Sequence, residues 1–181
     1  MAKHISILRG INVGGNRKIL MKDLKSLIEK LGFSMVETYI QSGNVIFESD
    51  QKFSNTDLEK NIQQSILETF GFDVPVIVRS AEEWSESVAN NPFWKEKEVD
   101  IDRLHLTFLK DLPVQEKLEK IKTLSFAPDQ FEFIGKDVFV FCSAGYSDSK
   151  LTNQFFESKL GVQATTRNWK TVMKLYEMIT S

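Results

Sequence analysis

One cysteine, Cys142, and two histidines, His4 and His105, are all that 181 residues supply of the commonest metal ligands and nucleophilic partners. A single thiol forbids an internal disulfide and any cysteine-based metal cluster, and it fits a reducing compartment. No group of His, Cys and carboxylate residues has ligand spacing, so no metal site is expected. Also missing is any apolar run near the roughly 20 residues of a membrane span, and Lys3 and Arg9 interrupt the N-terminus before a signal-peptide core could form. These absences read as a cytoplasmic protein with no membrane partner. A basic surplus is lacking too. The 23 Lys and Arg face 25 Asp and Glu, for −2 at pH 7, which is not the balance of a general nucleic-acid binder.

What is present is uneven. Residues 1–32 hold seven bases (Lys3, Arg9, Arg17, Lys18, Lys22, Lys25, Lys30) against two acids (Asp23, Glu29), a local +5 that leaves −7 for the remainder. The opening segment is therefore a local host for an anion, although lysines on a helix also serve simply as its solvated face. A hydrophobic share of 41% suffices for one large core or two small ones, and periodicity argues for two.

His4-Ile-Ser-Ile-Leu8 alternates like a strand, and Leu20, Leu24, Leu27, Ile28 and Leu31 fall at helical spacing before Gly32. Strands at 35–40 and 45–47 flank Gln41-Ser-Gly-Asn44, a hairpin turn using Gly43 for positive φ. The next helix carries Leu58, Ile62 and Ile66, opens on the capping pattern Thr56-x-x-Glu59 and stops at Gly71. Pro75 then places the strand 74–78 at a sheet edge, since proline cannot donate to a ladder. The order is βαββαβ, followed by a helix with Ser80-x-x-Glu83 as its capping box.

After charged residues 95–103 the pattern restarts. His105-Leu-Thr-Phe-Leu109 repeats the form of the first strand, Gly135-Lys-Asp137 mirrors the first hairpin turn, and Gly161 ends a helix as Gly71 did. The expected fold is α+β: two ferredoxin-like (βαββαβ plus helix) subdomains in tandem, at 1–94 and 104–181, with 95–103 as the linker.

One stretch fits neither strand nor helix. LRGINVGGNRK, from Leu8 to Lys18, joins them with three glycines, two asparagines and three cations. In a βαββαβ sheet the first two strands run parallel through a right-handed crossover, so this loop and the 41–44 turn share one rim with the start of the first helix. A helix N-terminus beside close-approaching glycine backbone suits phosphate or carboxylate. The spacing Gly10-x-x-x-Gly14-Gly15 matches neither G-x-x-x-x-G-K-[S/T] nor G-x-G-x-x-G. Turn chemistry by itself accounts for Gly14, Gly15, Ser42 and Gly43, whereas a tight turn has no need of Arg9 or Gln41 beside Asn12 and Asn44. The candidate ligand-binding set is Arg9, Asn12, Gly14, Gly15, Lys18, Gln41, Ser42, Gly43 and Asn44.

LRGINVGG, TYIQSGNVIF (Thr38 to Phe47), Asn91-Pro-Phe93 and TRNW (Thr166 to Trp169) closely resemble domain-of-unknown-function family 1697, small bacterial proteins without an assigned activity. The resemblance spans nearly the whole chain, with no departure in these motifs. It implies two ferredoxin-like α+β subdomains and a cytoplasmic home. It supplies no reaction, but its signature residues fall largely in the rim reached from topology.

Other chemistry is thin. On a strand, His4 lies roughly 16 Å from the rim, too far to be its base, and both histidines read as packed strand residues. Cys142 ends an apolar strand as a small packed side chain. Ser42 lacks a visible base, though folding could bring a carboxylate such as Asp23. The sheet-face aromatic pair of an RNA-recognition module is missing, since the first strand offers only Ile5, Ser6, Ile7 and Leu8, which disfavours nucleic acid as a sheet-face ligand. Arg167-Asn168-Trp169 opens the last helix and offers a second candidate anion site, with Asn168 as N-cap and Trp169 as core the structural alternative. Asn91-Pro-Phe93-Trp94 reads as a helix stop with an aromatic anchor. The leading expectation is a small anionic ligand, a nucleotide or phosphorylated metabolite, at the rim. A protein-interaction or homo-oligomer module is the alternative, and an enzyme of phosphoryl or nucleotide chemistry a third. No cofactor is named by any motif.

Overall fold

A computed structural model describes residues 1–50, 52–95 and 98–181. In chain order the elements are β1 (Ala2–Leu8), α1 (Met21–Lys30), β2 (Ser34–Tyr39), β3 (Asn44–Ser49), α2 (Asn55–Phe70), β4 (Val76–Ser80) and α3 (Ala81–Asn90). The same succession then recurs as β5 (Leu104–Leu109), α4 (Gln115–Lys122), β6 (Gln130–Ile134), β7 (Asp137–Phe141), α5 (Asn153–Leu160), β8 (Ala164–Asn168) and α6 (Trp169–Thr180). Each set of four strands forms its own antiparallel sheet, ordered β2-β3-β1-β4 and β6-β7-β5-β8. The fold is thus mixed α+β, with two four-stranded sheets and six α-helices among the described residues.

Two compact units divide the chain: Met1–Ser85 with Leu175–Ser181, and Glu86–Lys174. The charged segment 95–103 falls inside the second, and two of its residues, Glu96 and Lys97, lie outside the described residues. Helix α6 is shared, because its residues from Leu175 on belong with the first unit, where the ammonium of Lys3 donates to the carbonyl of Ile179 at 3.3 Å.

Each unit packs helices on one sheet face. In the first, Leu8, Val45, Phe47 and Val78 meet Leu24 and Ile28 of α1 and Ile62 of α2. In the second, Leu109, Val138, Val140 and Ala164 meet Ile121 of α4 and Phe156 and Leu160 of α5. Burying aliphatic side chains of this kind contributes about 1.5–3 kcal/mol each. The hairpin corners are closed by the same hydrogen bonds in both units. Leu8 N–H donates to Gly43 O at 2.9 Å and Leu109 N–H to Lys136 O at 2.8 Å, while Arg9 N–H reaches Pro75 O and Lys110 N–H reaches Gln163 O.

Two caps differ in outcome. Ser80 and Glu83 form the expected reciprocal pair at the start of α3, with Ser80 N–H donating to the carboxylate at 2.7 Å. Helix α2, however, starts earlier than Thr56 suggested. Ser54 is its N-cap and Asp57 completes the box. Glu59 is therefore spare, and its buried carboxylate accepts from Val78 N–H at 3.0 Å on the outer edge of β4. Glu157 of α5 does the same for Ala164 N–H of β8.

Candidate functional site

The Leu8 to Lys18 stretch is a small hairpin mounted on the corner of the first sheet. Val13 and Asn16 form a bridge, Asn16 N–H donates to Val13 O and Asn12 N–H to Arg17 O. Gly14 and Gly15 between them have φ of 59° and 78°, the two positive angles of a two-residue type I′ loop. A side chain at either glycine would meet nothing within 4 Å. These two glycines turn the chain and do not make room for a neighbour.

Asn12 holds the hairpin down. Its Nδ2 donates to Ile19 O at 2.9 Å and to Gln41 O at 2.8 Å, and its Oδ1 accepts from Ile19 N–H at 2.9 Å. One carboxamide thereby ties the loop, the approach to α1 and the 41–44 turn together, and the neighbours expected from topology do meet. Asn44 does the equivalent inside the turn: fully buried, it donates to Tyr39 O at 2.9 Å and to Ser42 Oγ at 3.1 Å. Gly43 is bound by space as well as by conformation. Its φ is 87°, and a Cβ there would lie 2.7 Å from Ile11 Cδ1 and 2.9 Å from Leu8 Cβ.

The two asparagines, Ser42 and the Gln41 carbonyl are thus employed in building the rim. Two of the three charges of the stretch face outward. Lys18 and Arg17 are exposed, and the Arg17 guanidinium passes over Gly10, with Nη1 3.6 Å from where a Cβ would stand. Arg17 lies within the stretch singled out from the sequence but outside the candidate set, and its guanidinium stands over the residue that follows half-buried Arg9. Helix α1 follows at once, with Leu20 as N-cap and no side-chain cap for its first N–H groups. Asp23 stands in its first turn and lines a cleft of about 260 Å³ with Leu27 of α1 and Ser65 and Phe70 of α2.

The other candidates sit where local packing and capping place them. Asn168 Oδ1 caps α6 by accepting from Thr171 N–H at 2.9 Å, Trp169 is fully buried, and Arg167 is nearly enclosed, its guanidinium pushed down to about 10 by loss of water. Asn91 stops α3 by accepting from Phe93 N–H, and Phe93 packs near Phe141. Cys142 is enclosed, and burial pushes its thiol up. Unforeseen is the knot around Asp129, whose carboxylate accepts from Ser143 N–H, Ser143 Oγ and Ser149 Oγ at 2.7–2.8 Å. No spacing in the sequence announces it, because its three members are joined only by folding.

Both histidines are buried and stacked, His4 on Phe47 and His105 on Tyr146 at 4.6 Å. Burial holds His105 down to about 4. The unfolded chain protonates near 6.5, so as pH falls from 6.5 towards 4 it takes up a proton that the native state refuses, and stability drops through that window. The expected loss is about 2–3 kcal/mol at pH 4. Urea unfolding at pH 7.5, 6, 5 and 4.5 checks it: His105→Gln is expected to flatten the fall relative to the parent, and an equal slope in both proteins would refute it.

The chain belongs to the family described as protein of unknown function (DUF1697), which it matches over residues 1–139. No curated protein matches it. A solved structure, described as that of conserved bacterial protein SP0830 from Streptococcus pneumoniae, is similar to it with a TM-score of 0.78 and 26% identity, over 98% of each chain.

Proposed function

We propose that this protein binds an anionic ligand, a nucleotide or phosphorylated metabolite, at the rim of its first unit. Arg9, Arg17 and Lys18 supply the charge, the first turn of α1 adds its dipole, and Asn12, Gln41, Ser42, Gly43 and Asn44 hold the platform in place. The observation that carries the reading is an asymmetry between two otherwise parallel units. After β5 the chain reaches the N-cap of α4 at Val114, within five residues, whereas after β1 it spends residues 9–20 on a clamped cationic hairpin before α1. The corner is closed by the same backbone hydrogen bonds in both units. Closing the fold therefore does not require the hairpin. The βαββαβ order and the 2-3-1-4 sheet support reading each unit as ferredoxin-like, and the lone thiol supports a cytoplasmic home.

Thermal unfolding against nucleotides, sugar phosphates, coenzymes and inorganic phosphate tests this, beside an Arg9→Ala, Arg17→Ala double variant. A ligand at 100 times its Kd stabilises by about 2.7 kcal/mol, or roughly 5–10 °C for a chain of this length. A shift of that size that vanishes in the double variant is the expected result. No shift with any anion overturns the reading.

A second reading has its own observation. Val13, Leu20 and Ile40 are 65%, 58% and 47% exposed; Val13 adjoins Asn12, and Leu20 and Ile40 adjoin the two residues that its carboxamide ties. Aliphatic side chains standing out among cations favour a protein partner at the same rim. Loss of a co-purifying partner on Val13→Ser, with no small-anion shift, would select it.

A further inference from the structure

Antiparallel pairing points both backbone groups of a residue to the same side, alternating along the strand. In the second sheet the side is set by two bonds: Leu109 N–H to Lys136 O and Cys142 N–H to Arg103 O turn the even residues of β7 towards β5. Asp137, Phe139 and Phe141 then face β6 and pair with Ile134, Glu132 and Gln130. The N–H and C=O groups of Phe131 and Phe133 are left pointing out of the sheet. Among the described residues nothing bonds to them.

The other three sheet edges are treated differently. On β4 the outward N–H groups of Val78 and Ser80 are taken by Glu59 and Glu83. On β8 Glu157 takes Ala164 N–H and Asn153 donates to Ala164 O. Strand β2 is broken by an irregularity between Ser34 and Glu37, where exposed Met35 has φ of 50°. Covering, capping and bulging are the usual ways to stop an edge from recruiting another strand. β6 has an unbroken register and none of these devices. Beside it runs a groove of about 420 Å³, lined by residues 130–133 of the strand, by Leu124 and Phe126, and by the polar Lys122, Ser125 and Asp129.

We propose that the outer edge of β6 is a docking site for an extended segment of a partner protein, added as a fifth strand. Its occupant is defined by the side chains on the strand. Residues opposite Phe131 and Phe133 project to the side of those half-buried rings, so they are apolar. The residue between them lies opposite Glu132, which is exposed and, among the described residues, makes no hydrogen bond or ion pair. Opposite charges across a strand pair stabilise and like charges destabilise, so that central residue is Lys or Arg. The same rule speaks against a second copy of this chain. A two-fold pair using both Phe131 and Phe133 would set Glu132 against its own symmetry mate.

The test uses the intact protein and two seven-residue probes, alternating valine with lysine and valine with glutamate. Amide hydrogen exchange read by NMR is expected to slow at Phe131 and Phe133 on adding the lysine peptide. That peptide should bind about tenfold tighter than the glutamate one, the preference reversing in Glu132→Lys, whose exposed side chain leaves the fold intact. N-methylating the backbone positions that face the two phenylalanines should abolish binding. Unchanged exchange at Phe131 and Phe133 with either peptide overturns the proposal. So does slow exchange at both without peptide in a protein that sediments as a dimer, which would assign the edge to a second copy.

Discussion

Gly43→Ala is expected to destabilise the protein by about 3–4 kcal/mol, lowering the melting temperature by roughly 10 °C. Two independent costs add. A φ of 87° is left-handed backbone, which an L side chain occupies at about 1–2 kcal/mol. The new methyl would also stand 2.7 Å from Ile11 and 2.9 Å from Leu8, both buried, and relieving such overpacking costs about 1–3 kcal/mol more. Leu8 has little freedom to retreat, because its N–H is bonded to the carbonyl of Gly43 itself. Gly14→Ala is the control. It shares the positive φ but has nothing within 4 Å, so only the conformational cost of about 1–2 kcal/mol remains. Urea unfolding of both variants separates the terms, and equal losses would refute the close approach.

Asn12→Ala is expected to cost about 3 kcal/mol and to remove anion binding even though every cation is retained. Three hydrogen bonds vanish together, and the N–H of Ile19, which is 2% exposed, is left without its acceptor. Alanine also tolerates the φ of 56° less well than asparagine, whose short amide makes left-handed backbone acceptable. Asn12→Asp sharpens the test. The carboxylate can still accept from Ile19 N–H but would face the carbonyls of Ile19 and Gln41 with no proton to offer, so it should be no better than alanine. Asp behaving like the parent would mean that the carboxamide is not the clamp. Lys18→Ala, by comparison, changes an exposed rim charge and should leave stability within about 0.5 kcal/mol.

Much of the architecture was readable because it rests on short-range rules. The period of Leu24, Leu27 and Ile28, the glycine stops at Gly71 and Gly161, and the repeat of His4 to Leu8 in His105 to Leu109 specify elements and their order. Even the meeting of the 9–18 loop with the 41–44 turn followed from the parallel run of the first two strands. What escaped were partners chosen by side-chain reach. Thr56 and Glu59 have capping spacing, yet α2 starts at Ser54 and Glu59 seals a strand edge 19 residues away. Asn12 looked like a ligand residue, and Asp129 like nothing in particular. Each makes bonds that run to distant backbone or hydroxyl groups.

The sequence by itself thus determined the α+β succession, the two-fold repetition and the place and sign of the cationic rim, since periodicity, glycine and charge act within a few residues. Only the tertiary structure decided which polar groups are consumed by the scaffold and which stay open, as at Phe131 and Phe133. A hydrogen bond is made or lost over a few tenths of an ångström, and distances that fine are set by how whole helices settle on their sheets.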